Sequence, residues 1–152
     1  MANTVQTEFQ QMDIFSKSIV SDYMFMKDRI FASLNLNDKE MTLYDNVASI
    51  LETNIIYPDL IIFLQSDTER LMHNIKHRGR KYENTMNWNY IDALNQIYNE
   101  FFFRYDKSPL LIINTNDIDF VNDKNDLKEI LDIIQKPING TKYYNPNKTL
   151  NL

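Results

Sequence analysis

The chain has only two glycines in 152 residues, Gly79 and Gly140. A loop that cradles phosphates needs closely spaced glycines, so that backbone N–H groups can approach the anion with no Cβ in the way. Neither the P-loop pattern nor the G-x-G-x-x-G dinucleotide fingerprint can be written with these two positions. A backbone cradle of either kind is therefore excluded within this sequence.

The length fits one domain with a single sizeable core. Hydrophobic residues make up 43% and charged residues 24%, ordinary values for a soluble globular chain. No apolar run approaches the roughly 18 residues of a membrane span, so no membrane association is expected. The opening Met1-Ala2-Asn3-Thr4-Val5-Gln6 has neither a basic leader nor an apolar stretch, so secretion is not expected. There is no cysteine, which removes disulfides, thiolate metal sites and cysteine nucleophiles together. The expected location is cytoplasmic. A net charge of −5 weighs against a dedicated nucleic-acid partner, which would call for a basic face.

The segment from Ser18 to Phe25 reads as a short strand running into a loop. Asn37-Asp38-Lys39-Glu40 has the form of a capping box. Behind it Met41, Tyr44, Val47, Ile50, Leu51 and Ile55 recur at helical spacing until Pro58. Asp59 to Leu64 is an almost unbroken apolar run, the signature of a strand covered on both faces. Ser66-Asp67-Thr68-Glu69 is a second capping-box pattern, opening a helix that closes near Gly79. A long amphipathic helix is predicted from about Trp88 to Tyr105, with Tyr90, Ile91, Leu94, Ile97, Tyr98, Phe101 and Phe102 on its stripe. Leu110 to Asn114 is another buried strand. Leu127, Ile130, Leu131 and Ile134 mark a last helix before Pro137, and residues 139–152 read as a polar tail. Strands alternating with helices predict an α/β fold with a parallel sheet, here of about three strands, flanked by helices.

The densest cluster with chemical meaning is Lys76-His77-Arg78-Gly79-Arg80-Lys81, followed by Tyr82-Glu83. Arg suits phosphoryl oxygens because its planar fork bonds two at once and stays charged. Such a cationic arm beside a triphosphate would offset charge developing during phosphoryl transfer. The same cluster also suits a solvated helix terminus favoured by the helix dipole. A second cluster, Ser21-Asp22-Tyr23 with Lys27-Asp28-Arg29, follows the first predicted strand, where α/β proteins bind ligands; a surface loop with an Asp–Arg pair is the alternative. His73 and His77 lie one helical turn apart, a zinc-compatible spacing, but with no cysteine or further histidine they read as surface residues and no metal site is expected. Phe101-Phe102-Phe103 reads as core or interface.

Taken together, these segments resemble the deoxynucleoside kinases, especially the bacterial deoxyadenosine and deoxyguanosine kinase branch. Val20-Ser21-Asp22-Tyr23-Met24-Phe25-Met26-Lys27-Asp28-Arg29-Ile30-Phe31-Ala32 resembles that family's central motif, and Tyr57 to Leu64 its next strand. Ile75 to Glu83 resembles its LID. Tyr90-Ile91, Leu94, Tyr98, Phe101-Phe102, and then Leu111 to Val121, resemble its final helix and strand. The collinear stretch runs from about residue 14 to 135. Gly140-Thr141-Lys142-Tyr143-Tyr144-Asn145-Pro146 is similar to forms fused behind a dihydropterin pyrophosphokinase domain.

The resemblance implies a P-loop-kinase-like three-layer fold, incomplete here, with a partial kinase domain at 1–138 and a tail at 139–152. It implies transfer of the ATP γ-phosphoryl group to the 5′-hydroxyl of a purine deoxynucleoside, with Mg²⁺, and usually a homodimer through a helical bundle. By resemblance, Arg78 and Arg80 grip the donor phosphates, with Lys76 standing in for an arginine that many relatives carry where Asn74 lies. Asp22 falls near the acceptor hydroxyl and Glu83 near the sugar hydroxyls. Asp28 helps read the base. Tyr23 occupies the place of a frequent arginine, for which Arg29 is the candidate replacement. The family also begins with a strand, the P-loop, its helix and the carboxylate base, none of which has a counterpart here. Gln6-Thr7-Glu8-Phe9 lies too close to Asp22 to be the base-binding glutamine motif. The missing strand would fall between the Ser18 and Asp59 strands. The expectation is therefore a truncated reading of a longer gene, a fragment or a decayed copy, inactive by itself; the alternatives are a non-catalytic interaction subunit that pairs with a full-length kinase and, against the acidic net charge, a nucleic-acid or phosphate-binding module using Lys76 to Lys81.

Overall fold

A computed structural model describes residues 19–53, 55–80 and 86–146. The chain forms two compact units, one through Tyr57 and one from Pro58 onward.

The first unit is a helix pair, α1 (Met26–Asn35) and α2 (Asp38–Glu52). The strand expected near Ser18 is not formed: Ser18 lies outside the described residues, and residues 19–24 are irregular. The reason is local. The Ser21 hydroxyl takes the Tyr23 N–H at 3.0 Å, closing a tight turn. The residues after it, Met26, Lys27, Arg29 and Ala32, are good helix formers, and the chain enters α1 at once. The α2 capping box forms as expected. Asn37 Oδ1 accepts from the N–H groups of Lys39 and Glu40, both at 3.1 Å, and Glu40 Oε2 accepts from the Asn37 N–H at 3.0 Å. Ala48 faces inward and is buried. Leu43, Val47 and Ile50, by contrast, are 65%, 51% and 71% exposed.

The second unit is a parallel sheet with helices on both faces. In chain order it runs β1 (Ile61–Gln65), α3 (Thr68–Arg78), α4 (Trp88–Phe103), β2 (Leu110–Asn114), α5 (Lys124–Ile134) and β3 (Thr141–Tyr144). The strand order is β1-β2-β3, with Ile61 opposite Leu110 and Leu110 opposite Thr141. β2 is central, and its apolar run is buried on both faces, as a strand between two helical layers must be. Phe63 stacks on Phe102 of α4, ring centroids 4.4 Å apart. Leu111 and Ile113, pointing the other way along the pleat, pack with Ile118 and Ile130 of the α5 side.

The third strand of the sheet is thus β3, formed inside the stretch that the sequence presents as a polar tail. Its backbone joins β2 through the Leu110 N–H to the Gly140 carbonyl at 2.9 Å. Among the described residues, no strand pairs with the outer edge of β1.

Candidate functional site

In a parallel sheet the strand C-termini all open on one edge, where ligands are usually held. At that edge β1 passes into α3 through Ser66 and Asp67. The helix cap is Asp67, whose carboxylate accepts the Arg70 N–H at 2.7 Å. The expected cap, Ser66, is instead buried, and its hydroxyl pairs with that of Thr115 at 2.6 Å. The sequence pattern placed the cap one residue early because Ser66 is committed across the sheet to β2.

Around this junction lies a hydrogen-bonded network that the sequence motifs did not reveal. The Asp67 N–H donates to Asn116 Oδ1 at 2.9 Å. Thr68 donates to Asp92 Oδ1 at 2.7 Å, and Asn95 donates to the Ser66 carbonyl at 3.1 Å. Gln65 donates to Asn99 Oδ1 at 2.6 Å. Asp92, Asn95 and Asn99 share one face of α4 at helical spacing, and this polar stripe beside the apolar one was the signal available.

α3 carries the cationic arm. Lys76 and Arg78 lie in its last turn, where positive charge is favoured by the helix dipole. Gly79 follows as the left-handed C-cap (φ 64°), and Arg80 comes next. Lys76, Arg78 and Arg80 are all exposed. Glu83 falls outside the described residues.

The other anticipated residues belong to the first unit. Arg29 bonds Asp45 at 2.9 Å and approaches Glu52 at 3.7 Å, so its guanidinium ties α1 to α2. The Asp22 carbonyl accepts from Lys27 Nζ at 2.8 Å, and the Asp22 and Asp28 residues are exposed. The Tyr23 hydroxyl is buried with no hydrogen-bond partner among the described residues. Burial, and then the Asp28 carboxylate, hold its phenol above the usual range.

The His73 and His77 rings stack with centroids 5.2 Å apart. Among the described residues no three His, Asp or Glu side chains converge to hold a metal ion. On the α4 face of the sheet a shallow groove of about 380 Å³ runs past Phe63, Phe103, Ile112 and Tyr143, and none of the anticipated site residues lines it.

Comparison with known proteins decides the family. The family model for deoxynucleoside kinases matches residues 1–139. The chain belongs to the deoxynucleoside kinase family. Among its relatives, the deoxyadenosine/deoxycytidine kinase of Bacillus subtilis is 26% identical over 143 residues, which cover 88% of this chain and 66% of that protein. The deoxyadenosine kinase of Lactobacillus acidophilus is 26% identical over 139 residues, 82% of this chain and 65% of the relative. Deoxycytidine kinase 2 of Gallus gallus is 28% identical over 138 residues, 82% and 51% respectively. The chain therefore spans between about half and two thirds of these kinases. The solved deoxyadenosine kinase from M. mycoides with bound dATP superposes with a TM-score of 0.71 at 22% identity, over 88% of this chain and 70% of that one. The kinase fold is thus shared. β3 lies beyond the residues that the family model matches.

No helix among the described residues is long and apolar enough to cross a membrane.

Proposed function

We propose that this chain supplies the phosphate-gripping side of an ATP-dependent deoxynucleoside kinase site, acting on a purine deoxynucleoside. The observation that carries the proposal is the arm at the end of α3, where Lys76, Arg78 and Arg80 cluster around a left-handed glycine in a chain whose net charge is −5. Guanidinium groups are suited to bidentate contact with phosphoryl oxygens and to balancing charge on a transferring phosphoryl group. In this reading Asp22 and Glu83 serve the acceptor side, and Tyr23 and Asp28 read the base. Arg29 contributes within the first unit by tying α1 to α2.

With two glycines the chain offers no backbone cradle for the β- and γ-phosphates, so it binds nucleotide without turning it over. The missing electrostatics would come from a full-length kinase paired with it. The exposed stripe Leu43, Val47 and Ile50 on α2 supports association, either with a second copy or with such a kinase.

Titration calorimetry with ATP tests the phosphate reading. Arg78→Ala combined with Arg80→Ala is expected to weaken binding by about tenfold or more, since a charged hydrogen bond is worth roughly 1.5–3 kcal/mol. Equal affinity in the double variant would reject it. The purified chain is also expected to show no ATP-dependent phosphorylation of deoxyadenosine, and measurable turnover would contradict that part.

A further inference from the structure

α3 leaves the sheet through two residues, Ser66 and Asp67, and side chains of α4 hold the start of the helix by hydrogen bonds. Thr68, its first residue, is buried, and its hydroxyl donates to Asp92 Oδ1 at 2.7 Å. The second carboxylate oxygen, Asp92 Oδ2, accepts from Gln96 Nε2 at 2.8 Å, one turn along α4, which holds the carboxylate in place. Asn95 adds a bond to the Ser66 carbonyl just before α3 begins. Arg78 stands at the far end of an 11-residue helix, about 15 Å from Thr68 at 1.5 Å per residue. A tilt of about 10° at the base would move that end by roughly 3 Å, the scale of a whole hydrogen bond.

We propose that Asp92 is a positioning residue for the cationic arm: by clasping Thr68 it fixes the direction in which α3 delivers Lys76 and Arg78. The proposal rests on the phosphate-gripping role assigned to the arm. Asp92 touches no phosphate itself. Its carboxylate is suited to the task because it accepts two hydrogen bonds at once, one from the helix it orients and one from the helix it sits on. An asparagine keeps one acceptor oxygen for Thr68, and Gln96 can turn its amide to accept from the new NH₂ group. Alanine keeps neither bond.

Two measurements on the full chain test this. The first is ATP affinity by calorimetry. Asp92→Ala and Thr68→Val are each expected to weaken ATP binding about five- to tenfold, less than removal of the arm's guanidinium groups, because a misdirected arm keeps part of its phosphate contact. The double variant should be about as weak as the weaker-binding single one and not the product of the two losses, because both remove the Thr68–Asp92 contact. Asp92→Asn should stay within about twofold of the parent, since it retains the Thr68 bond. The second measurement is amide hydrogen exchange without nucleotide, in which residues of α3 should exchange faster in Asp92→Ala while β1 and β2 are unchanged.

Parent-like exchange and affinity in both variants would overturn the proposal. Faster exchange with undiminished affinity would overturn it too, because the clasp would then be structural only. Failure of every protein to bind ATP, with α3 exchanging faster in the variants, would uphold the clasp and remove the phosphate reading instead.

Discussion

Single side chains in this molecule take partners far along the chain. Arg29 is engaged by two carboxylates of α2. Ser66 looks like a helix cap, yet it is spent on Thr115. Neither outcome is written locally, because each depends on a partner between 16 and 49 positions away in sequence. Tyr144 is a third case, where a polar residue near the chain end fastens β3 by donating to Glu129 Oε2 at 2.8 Å. Burial first, and the Glu129 carboxylate second, push its phenol up to about 12 from 10.0. A raised folded-state value means that the stabilisation is whole below pH 10 and is lost as the pH climbs towards about 12. Tyr144→Phe is therefore expected to lower the urea-unfolding free energy by about 1 kcal/mol near neutral pH, after discounting for the partly exposed setting. The difference from the parent should close between pH 10 and about 12. A difference that persists unchanged at the alkaline end would show that the hydroxyl bond is not its source.

At the scale of elements, Gly79 ends α3 in the left-handed region, and a Cβ added there would meet nothing within 4 Å. The cost of Gly79→Ala is then backbone conformation alone, about 1 kcal/mol, with Gly79→Asn costing less because asparagine tolerates that region. Urea melts of the two variants check the order; equal losses would point to something other than φ. This stop, the Asn37 capping box, the long α4 and the buried β2 were legible because each is dictated by residues within a turn or two. α1 and β3 were not. The Ser18–Phe25 segment carries an apolar pattern too short to separate strand from helix entry, and helix propensity after Phe25 prevailed. β3 is Thr-Lys-Tyr-Tyr, polar enough to pass for tail, and it becomes a strand because β2 offers it a hydrogen-bonding edge. The clasp at the base of α3 was half visible: Asp92, Asn95 and Asn99 recur on one helix face, but their partners come from β1 and from the start of α3.

For the whole molecule, the residue pattern on α2 has the widest consequence. Met41, Tyr44, Val47, Ile50, Leu51 and Ile55 recur at helical spacing, all but Ile55 within α2. Met41 and Tyr44 are only half-buried, whereas Val47, Ile50 and Leu51, with Leu43 beside them, stay open to solvent. Leu43, Val47 and Ile50 sit at i, i+4 and i+7, so they form one continuous face. A contiguous exposed apolar face of this kind marks an association surface, and a two-fold contact would cover it with its own copy. The expected result is that the purified chain sediments as a dimer at micromolar concentration. Leu43→Asp with Ile50→Asp should yield a monomer of unchanged helix content, because both positions are exposed in the single chain and neither is needed to fold it. A parent that is already monomeric would reject self-association and leave α2 for a full-length kinase. Co-purification with such a kinase, abolished by the same two substitutions, would then identify the partner that the stripe serves.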